Sequence, residues 1–501
     1  MKHRDIIPAV DPARLPVPFV AGHPVWTELC GLAWRLAATH IRISRGRLHM
    51  DAAWDPARNY QWVWDTCFMA LYCRYGAGQY PGVQSLDNFY DLQRPDGYIG
   101  MTYDMTTGRE PWPDRINPPL LAWVEWEYYR TTGDASRLAR VIPSIERLMG
   151  WIDRHRLGEP RRRLLPGGRL SKQTYRLYYF EDCGSSGMDD SPRTPRHPEA
   201  GRFFDWIDLS SQMALSFAML ARLHRAVGRR ARARHWARRA ADLGRTINRE
   251  LWCERTQFYH DRLAPRNFVA SKTAAGFWPM LAGICPPSRL DALVAHLENP
   301  REFNRPTPVP TLSADDPNYS PQGVYWLGGV WAPINYMIAR GLMSAGRSDQ
   351  AHVIACRYLD ALARTYRKIR PHTLWECYAP ESDRPGLDAY NHKRVKPHFV
   401  GWTGIGPIAM FIENVIGVDV DAPARIVTWD VRLTEAHGIR RLPLPGGGAA
   451  NLSCAARRSS REPAHVLAES ESDTAFTLVL RRGPRARRVA VRPGTTASAV
   501  V

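Results

Sequence analysis

The chain has 501 residues, 44% of them hydrophobic, and 68 Lys and Arg against 49 Asp and Glu, for a formal charge of +19. That is enough apolar material for a large core, and nine scattered cysteines with no Cys-x-x-Cys pair argue against a disulfide framework or a zinc site. No apolar run long enough to span a bilayer occurs, and the start Met1-Lys2-His3-Arg4-Asp5 lacks a signal-peptide core, so a reducing cytoplasm is the expected location and no membrane partner is expected.

The basic excess raises the question of nucleic acid. Its densest cluster, Arg225 to Arg245, interleaves with Ala and Leu at helical spacing, which is the pattern of an outer helix's solvated face. No homeodomain, zinc-finger, RNP or P-loop signature accompanies it, so no nucleic-acid partner is expected.

Apolar periodicity and breakers predict twelve helices before residue 420, at 22–46, 61–75, 80–92, 117–131, 134–156, 206–227, 230–250, 271–282, 286–297, 328–343, 346–368 and 399–416. Connectors after the even-numbered helices are short and those after the odd-numbered ones long. The long ones are rich in Trp, Tyr and Phe and so do not read as disorder. Even helices, such as the one opening Gly328-Gly329-Val330-Trp331, are apolar nearly all round, whereas odd ones are amphipathic. Six helical hairpins in a ring make an (α/α)6 barrel with every long connector at one end. After Gly417 alternating segments at 426–432, 465–469, 476–480 and 489–491 predict a small C-terminal antiparallel β module. The expected division is an extended N-terminal arm at 1–20, the barrel at 21–419 and a β-sandwich-like module at 420–501.

Candidate chemistry sits on the long connectors. Trp62-Val63-Trp64-Asp65 opens the second helix; Trp64 and Asp65 suit a sugar ring and its hydroxyls, or equally a helix start beside core tryptophans. Asn117-Pro118-Pro119 adds a polar group at the same end. Gly187-Met188-Asp189-Asp190-Ser191-Pro192 reads either as an acid held protonated by burial and a like-charged neighbour, or as a capping turn; Asp182, Asp189 and Asp190 also allow a calcium site. Tyr325, Trp326 and Trp331 bring aromatics to the tenth helix, and Trp402 to the twelfth. Glu376, between Trp375 and Tyr378, is either a salt-bridged anchor or a base facing a sugar. Two acids brought to one end of a scaffold are what glycosidic bond cleavage needs.

Taken together, Trp64-Asp65-Thr66, Gly187-Met188-Asp189-Asp190-Ser191-Pro192-Arg193, Trp326 with Gly329-x-Trp331, Trp375-Glu376-x-Tyr378 and Gly401-Trp402-Thr403 resemble the motif series of glycoside hydrolase family 63, to which the family 37 trehalases are related. The resemblance implies an inverting α-glycosidase without cofactor or metal, acting on a small carbohydrate. It maps the general acid to Asp189 and the general base to Glu376. Trp64 and Asp65 would hold the sugar, with Tyr325, Trp326 and Trp331 lining the subsite and Asn117, Gly187 and Trp402 around it. Two positions depart from the pattern: Asp190 stands where many relatives have Asn, and Asn117 where many have Gln. Rival readings are a sugar epimerase using His372, His392 and His398, and a carbohydrate-binding scaffold without chemistry. An anionic aglycone would be met by Arg109, Arg115, Lys172 or Arg193, while a neutral glucoside would need none of them.

Overall fold

The computed structural model describes residues 7–51, 59–158, 162–164, 170–172, 177–194, 200–264 and 267–501. Among them the barrel is built from α1 (Pro24–Ala38), α2 (Val63–Cys73), α3 (Asp87–Asp91, entered through the 3-10 turn Val83–Leu86), α4 (Leu121–Thr132), α5 (Leu138–His155) and α6 (Ile207–Ala226). It continues with α7 (Arg230–Glu250), α8 (Trp278–Leu281, after the 3-10 turn Ala274–Phe277), α9 (Pro287–Glu298), α10 (Ala332–Ser344), α11 (Ser348–Lys368) and α12 (Gly406–Ile416).

The even helices form the inner ring. Each packs on the next, from α2 through α4, α6, α8 and α10 to α12, and α12 returns to α2. Every residue of α2 and α12 is buried, as the all-round apolar pattern requires. The outer helix α7 buries one stripe, Ala233, Trp236, Ala240, Leu243, Gly244 and Ile247, and turns its arginines to solvent. Each large apolar side chain so enclosed contributes about 1.5–3 kcal/mol.

At the C-terminal ends of the inner helices lies a buried ionic network. The Glu413 carboxylate, on a residue only 1% exposed, accepts hydrogen bonds from Arg74 (2.6 Å), Arg340 (3.0 Å), Tyr75 (3.1 Å) and Tyr336 (3.1 Å). Arg130 of α4 forks onto Asp419 at 2.7 and 2.5 Å, joining barrel and β module. The opposite end of the ring, where the inner helices begin, is left to the long connectors.

Nine strands form two sheets beside the barrel: β1 (Val17–Val20), β2 (Val418–Asp421), β3 (Ile426–Asp430), β4 (His437–Pro443), β5 (Ala449–Cys454), β6 (His465–Ser470), β7 (Phe476–Arg482), β8 (Arg485–Val491) and β9 (Thr496–Val500). Their orders are β1-β4-β5-β6-β9 and β2-β3-β7-β8. Pairing is antiparallel except between β3 and β7, which run parallel.

Two expectations need correction. The first helix stops at Ala38, and the rest of the predicted span is a hairpin, Ile41–Ser44 with Arg47–Met50. Ile41-Arg42-Ile43-Ser44 alternates with period two, and Arg45-Gly46 supplies a turn with both φ positive (53° and 74°). The last inner helix is not α-helical: a 3-10 turn at Thr403–Ile405 leads into a π-helix. Gly404 and Gly406 there lie so close to Tyr72 and Tyr358 that a Cβ would come within 3.0 and 2.6 Å of the rings. The N-terminal segment contributes an extended strand, β1, which is the edge strand of the five-stranded sheet.

Candidate active site

The first acidic loop is built by small local devices. Asp182 caps the one-turn helix Cys183–Ser186 by accepting the Ser185 N–H at 2.9 Å. Gly187 then takes a left-handed conformation (φ 77°) against the Trp64 indole, where a Cβ would meet ring carbon at 3.2 Å. A side chain there would be strained by the backbone and crowded by the ring, so glycine is required. The Ser191 N–H closes on Met188 O at 3.0 Å and presents Asp189 at the loop's crown. Beneath it Arg193, 1% exposed, forks onto Asp208 (2.6 and 2.9 Å) and Asp261 (2.5 and 2.8 Å). Arg193 is therefore a buried strut and does not face a ligand.

The second loop is pinned at its backbone. Val330 and Tyr378 exchange hydrogen bonds at 2.8 and 3.0 Å, and the Glu376 N–H reaches Lys396 O at 3.1 Å. The carbonyl of Glu376 accepts from Trp402 Nε1 and Thr403 Oγ1, both at 3.3 Å. Its carboxylate, on a residue 3% exposed, accepts from Tyr325 Oη at 3.1 Å. Tyr325 holds a positive φ of 37°, a strained backbone of the kind that collects at functional sites.

Electrostatics tie the two loops together. Burial pushes Glu376 up to about 7, against the lowering pull of the Lys396 amide and charge and the Tyr325 hydroxyl. Asp189 is open to cleft water, yet the surrounding protein walls, then Asp190 and Glu376, raise it to about 7. Burial also lifts Asp65 well above the usual carboxylate range, and the charges of Asp189 and Glu376 add to that. These carboxyls form one interacting cluster whose apparent pKa values belong to the group.

Asp189 is where that cluster meets an open cleft of about 400 Å3. Its walls include Trp62, Met101, Trp112, Arg115, Asp182, Asp190 and Tyr390. Asp190 also accepts the Trp326 backbone N–H at 2.8 Å, an anchor that an Asn would supply equally, so what the departure from Asn adds is the charge.

Other sequence candidates take supporting places. Trp64 packs edge-on to Phe68 and Trp278 under the acid loop. Asn117 spends its amide on backbone, accepting the Trp64 N–H at 3.4 Å and donating to Ser185 O at 3.1 Å. It is a brace between the Trp64 helix and the acid loop rather than a sugar contact. Trp331 is fully buried, stacked on Trp326 at 4.4 Å and leaning on Trp402 at 5.5 Å, so it does not line a subsite and instead backs the residues that hold Glu376. Lys172 has no described side chain. Trp112 and Tyr390 were missed because neither lies in a motif; their only signal was an aromatic on a long connector. The histidines of the epimerase reading are all exposed on a connector rather than paired on inner helices, with His372 bound to Tyr366 O and His398 to Thr373. The calcium reading fares no better, since Asp182 is committed to its cap and to Arg115 (2.9 Å), and no cluster of metal-ligating side chains exists among the described residues.

An (α/α) ring whose outer-to-inner connectors bring carboxyls to one end is an arrangement compatible with a glycoside hydrolase. More particularly, the chain belongs to the mannosylglycerate hydrolase MGH1-like glycoside hydrolase family, whose model matches residues 58–393. It is 27% identical over 385 residues to an uncharacterized protein of Borreliella burgdorferi, covering 75% of this chain and 76% of that one. It is 34% identical over 119 residues to a mannosylglycerate hydrolase of Thermus thermophilus, 24% of this chain and 28% of that protein. A family 63 mannosylglycerate hydrolase of Thermus thermophilus, solved in complexes with glucose and with Tris and D-glycerate, shares the fold: TM-score 0.58 and 20% identity over 76% of this chain and 99% of that one. Among the described residues no helix is long and apolar enough to cross a membrane.

Proposed function

We propose that this chain hydrolyses a small α-linked glycoside with inversion at the anomeric carbon, Asp189 acting as general acid and Glu376 as general base. The observation that carries the reading is the mutual electrostatics of the two carboxyls on separate connectors. An acid must hold a proton near neutral pH, and Asp189 is suited to this because the cleft walls and two neighbouring charges disfavour its anion and raise it to about 7. A proton on Asp189 removes one repulsion from Glu376, whose anion Tyr325 then stabilises. Asp189 gives its proton to the glycosidic oxygen as the bond to the anomeric carbon breaks. Water attacks from the opposite face and loses a proton to Glu376. Asp65, whose carboxyl feels the charges of Asp189 and Glu376, is the residue we assign to the sugar itself, with Trp64 packed behind the acid loop. Similarity to mannosylglycerate hydrolases, one of them solved with glucose, supports a hexoside as substrate. Nine unpaired cysteines fit a reducing compartment.

Proton NMR of the first product formed tests the mechanism. An α-glycoside should release the β-anomer; initial release of the α-anomer would mean retention and sink the acid–base assignment.

Asp190→Asn isolates the neighbouring charge. An Asn side-chain oxygen can still accept the Trp326 N–H, so the loop should keep its shape while Asp189 loses its like-charged neighbour. The acid then releases its proton more easily, and the high-pH limb of kcat/KM should move to lower pH. An unmoved limb would assign Asp190 to loop anchorage alone.

A further inference from the structure

The cleft in front of Asp189 is chemically one-sided. Trp62 and Trp112 lie against each other, ring centroids 5.1 Å apart and planes 30° from parallel, with Tyr60 edge-on to Trp112 at 6.0 Å. Trp112 is 37% exposed and Tyr390 84%, so two of the few large exposed apolar side chains among the described residues stand on the walls of this one cleft. Single exposed rings need no explanation, but a set of them around a concavity marks a binding surface.

Its charge points the same way. Arg115 is the only cation on the cleft's described walls, and it is matched by Asp182, whose other oxygen caps the adjoining helix turn. Asp189 and Asp190 add further acidic groups facing the same space. A carboxylate entering here would meet acids and an arginine already paired, whereas indole faces suit the C–H face of a pyranose and leave its hydroxyls to water.

We propose that the leaving-group side of the site takes a neutral sugar ring stacked on Trp112 and Trp62, with Tyr390 across the cleft, in preference to a carboxylate-bearing aglycone such as glycerate. This rests on the hydrolase reading above and narrows its substrate to an α-linked disaccharide or longer oligosaccharide.

The experiment compares kcat/KM on α-linked glucobioses, on glucosylglycerate and on α-glucosyl fluoride, with the mannosyl counterparts run in parallel. Wild type, Trp112→Ala and Trp62→Leu are assayed; the first replaces a half-exposed loop residue, and the second keeps bulk without a ring. Wild type should favour the disaccharide over the glycerate glycoside. Each variant should lose about tenfold on the disaccharide, the scale of one good ring contact, and much less on the fluoride, whose leaving group has no ring to stack. A wild type that prefers the glycerate glycoside, or variants that lose equally on disaccharide and fluoride, would overturn the proposal while leaving the hydrolase reading intact. A wild type inactive on the fluorides as well as on all the glycosides would overturn the hydrolase reading, and the ring proposal with it.

Discussion

Asp189→Asn and Glu376→Gln are each expected to lower kcat on a glycoside by about 10²–10⁴-fold, the usual contribution of a positioned acid or base. The two losses should differ in kind. A fluoride leaving group needs little help from an acid, so Asp189→Asn should recover much of its rate on a glycosyl fluoride. Glu376→Gln should not, because water must still be deprotonated. Stability gives an independent check. Both carboxyls have folded-state pKa values raised to about 7, so the native state binds more protons than the unfolded chain between the ordinary carboxylate range and neutrality. Stability from these groups is therefore lost as pH rises through that interval, and the neutral amides should make the variants more resistant to urea at pH 8 than wild type, with little difference at pH 4. A variant that unfolds more readily at pH 8, or keeps near-normal turnover, would return that residue to the role of a structural anchor.

The largest effect on stability is expected at Arg193. Its guanidinium is fully enclosed and serves Asp208 and Asp261 at once, with the Trp206 ring 4.5 Å from its centre. Arg193→Ala would leave two buried carboxylates without their cation, and breaking a buried pair in this way costs about 3–5 kcal/mol. Arg193→Lys should recover only part of the loss, because an ammonium has three donors and no planar fork with which to replace the four bonds that the guanidinium gives Asp208 and Asp261. Urea denaturation at neutral pH measures both variants. A loss below about 1 kcal/mol for Arg193→Ala would mean that Asp208 and Asp261 find other partners or water.

The ring of helices was legible because the inner and outer members bury different fractions of their surface, and that difference is written in the apolar pattern of α10 against that of α7. The hairpin after α1 was overlooked because Leu36 to Ile43 carries enough apolar residues to continue a helix, although the Arg45-Gly46 turn signal was present. The entry to α12 brings Gly404 and Gly406 against tyrosines of other helices, a long-range approach that no local pattern records. At the site, Asp189 and Glu376 were visible as acids in aromatic loops. The fates of their neighbours were not, since Asn117 is held by Trp64 and Ser185, Arg193 by Asp261, and Trp331 is closed off by Trp402, all more than fifty residues away. Whether such a side chain faces a ligand or a strut is decided by tertiary packing alone.

The pairing of β1 with β4 joins Val17 to Arg440 and Val20 to His437, and Arg441 Nε adds a bond to Leu15 O at 2.9 Å. During synthesis the first of these strands leaves the ribosome about 420 residues before its partner, a wait of roughly 20–80 s at ~5–20 residues per second. Through that interval its backbone groups have only water or a chaperone to bond. The helix packed behind it, α1, meets α2 through Trp34 and Tyr72 but must likewise wait for α12, which covers more of its inner side. Ring and sheet are thus completed by one late arrival of chain, and the nascent protein is exposed to misassociation for most of its time on the ribosome.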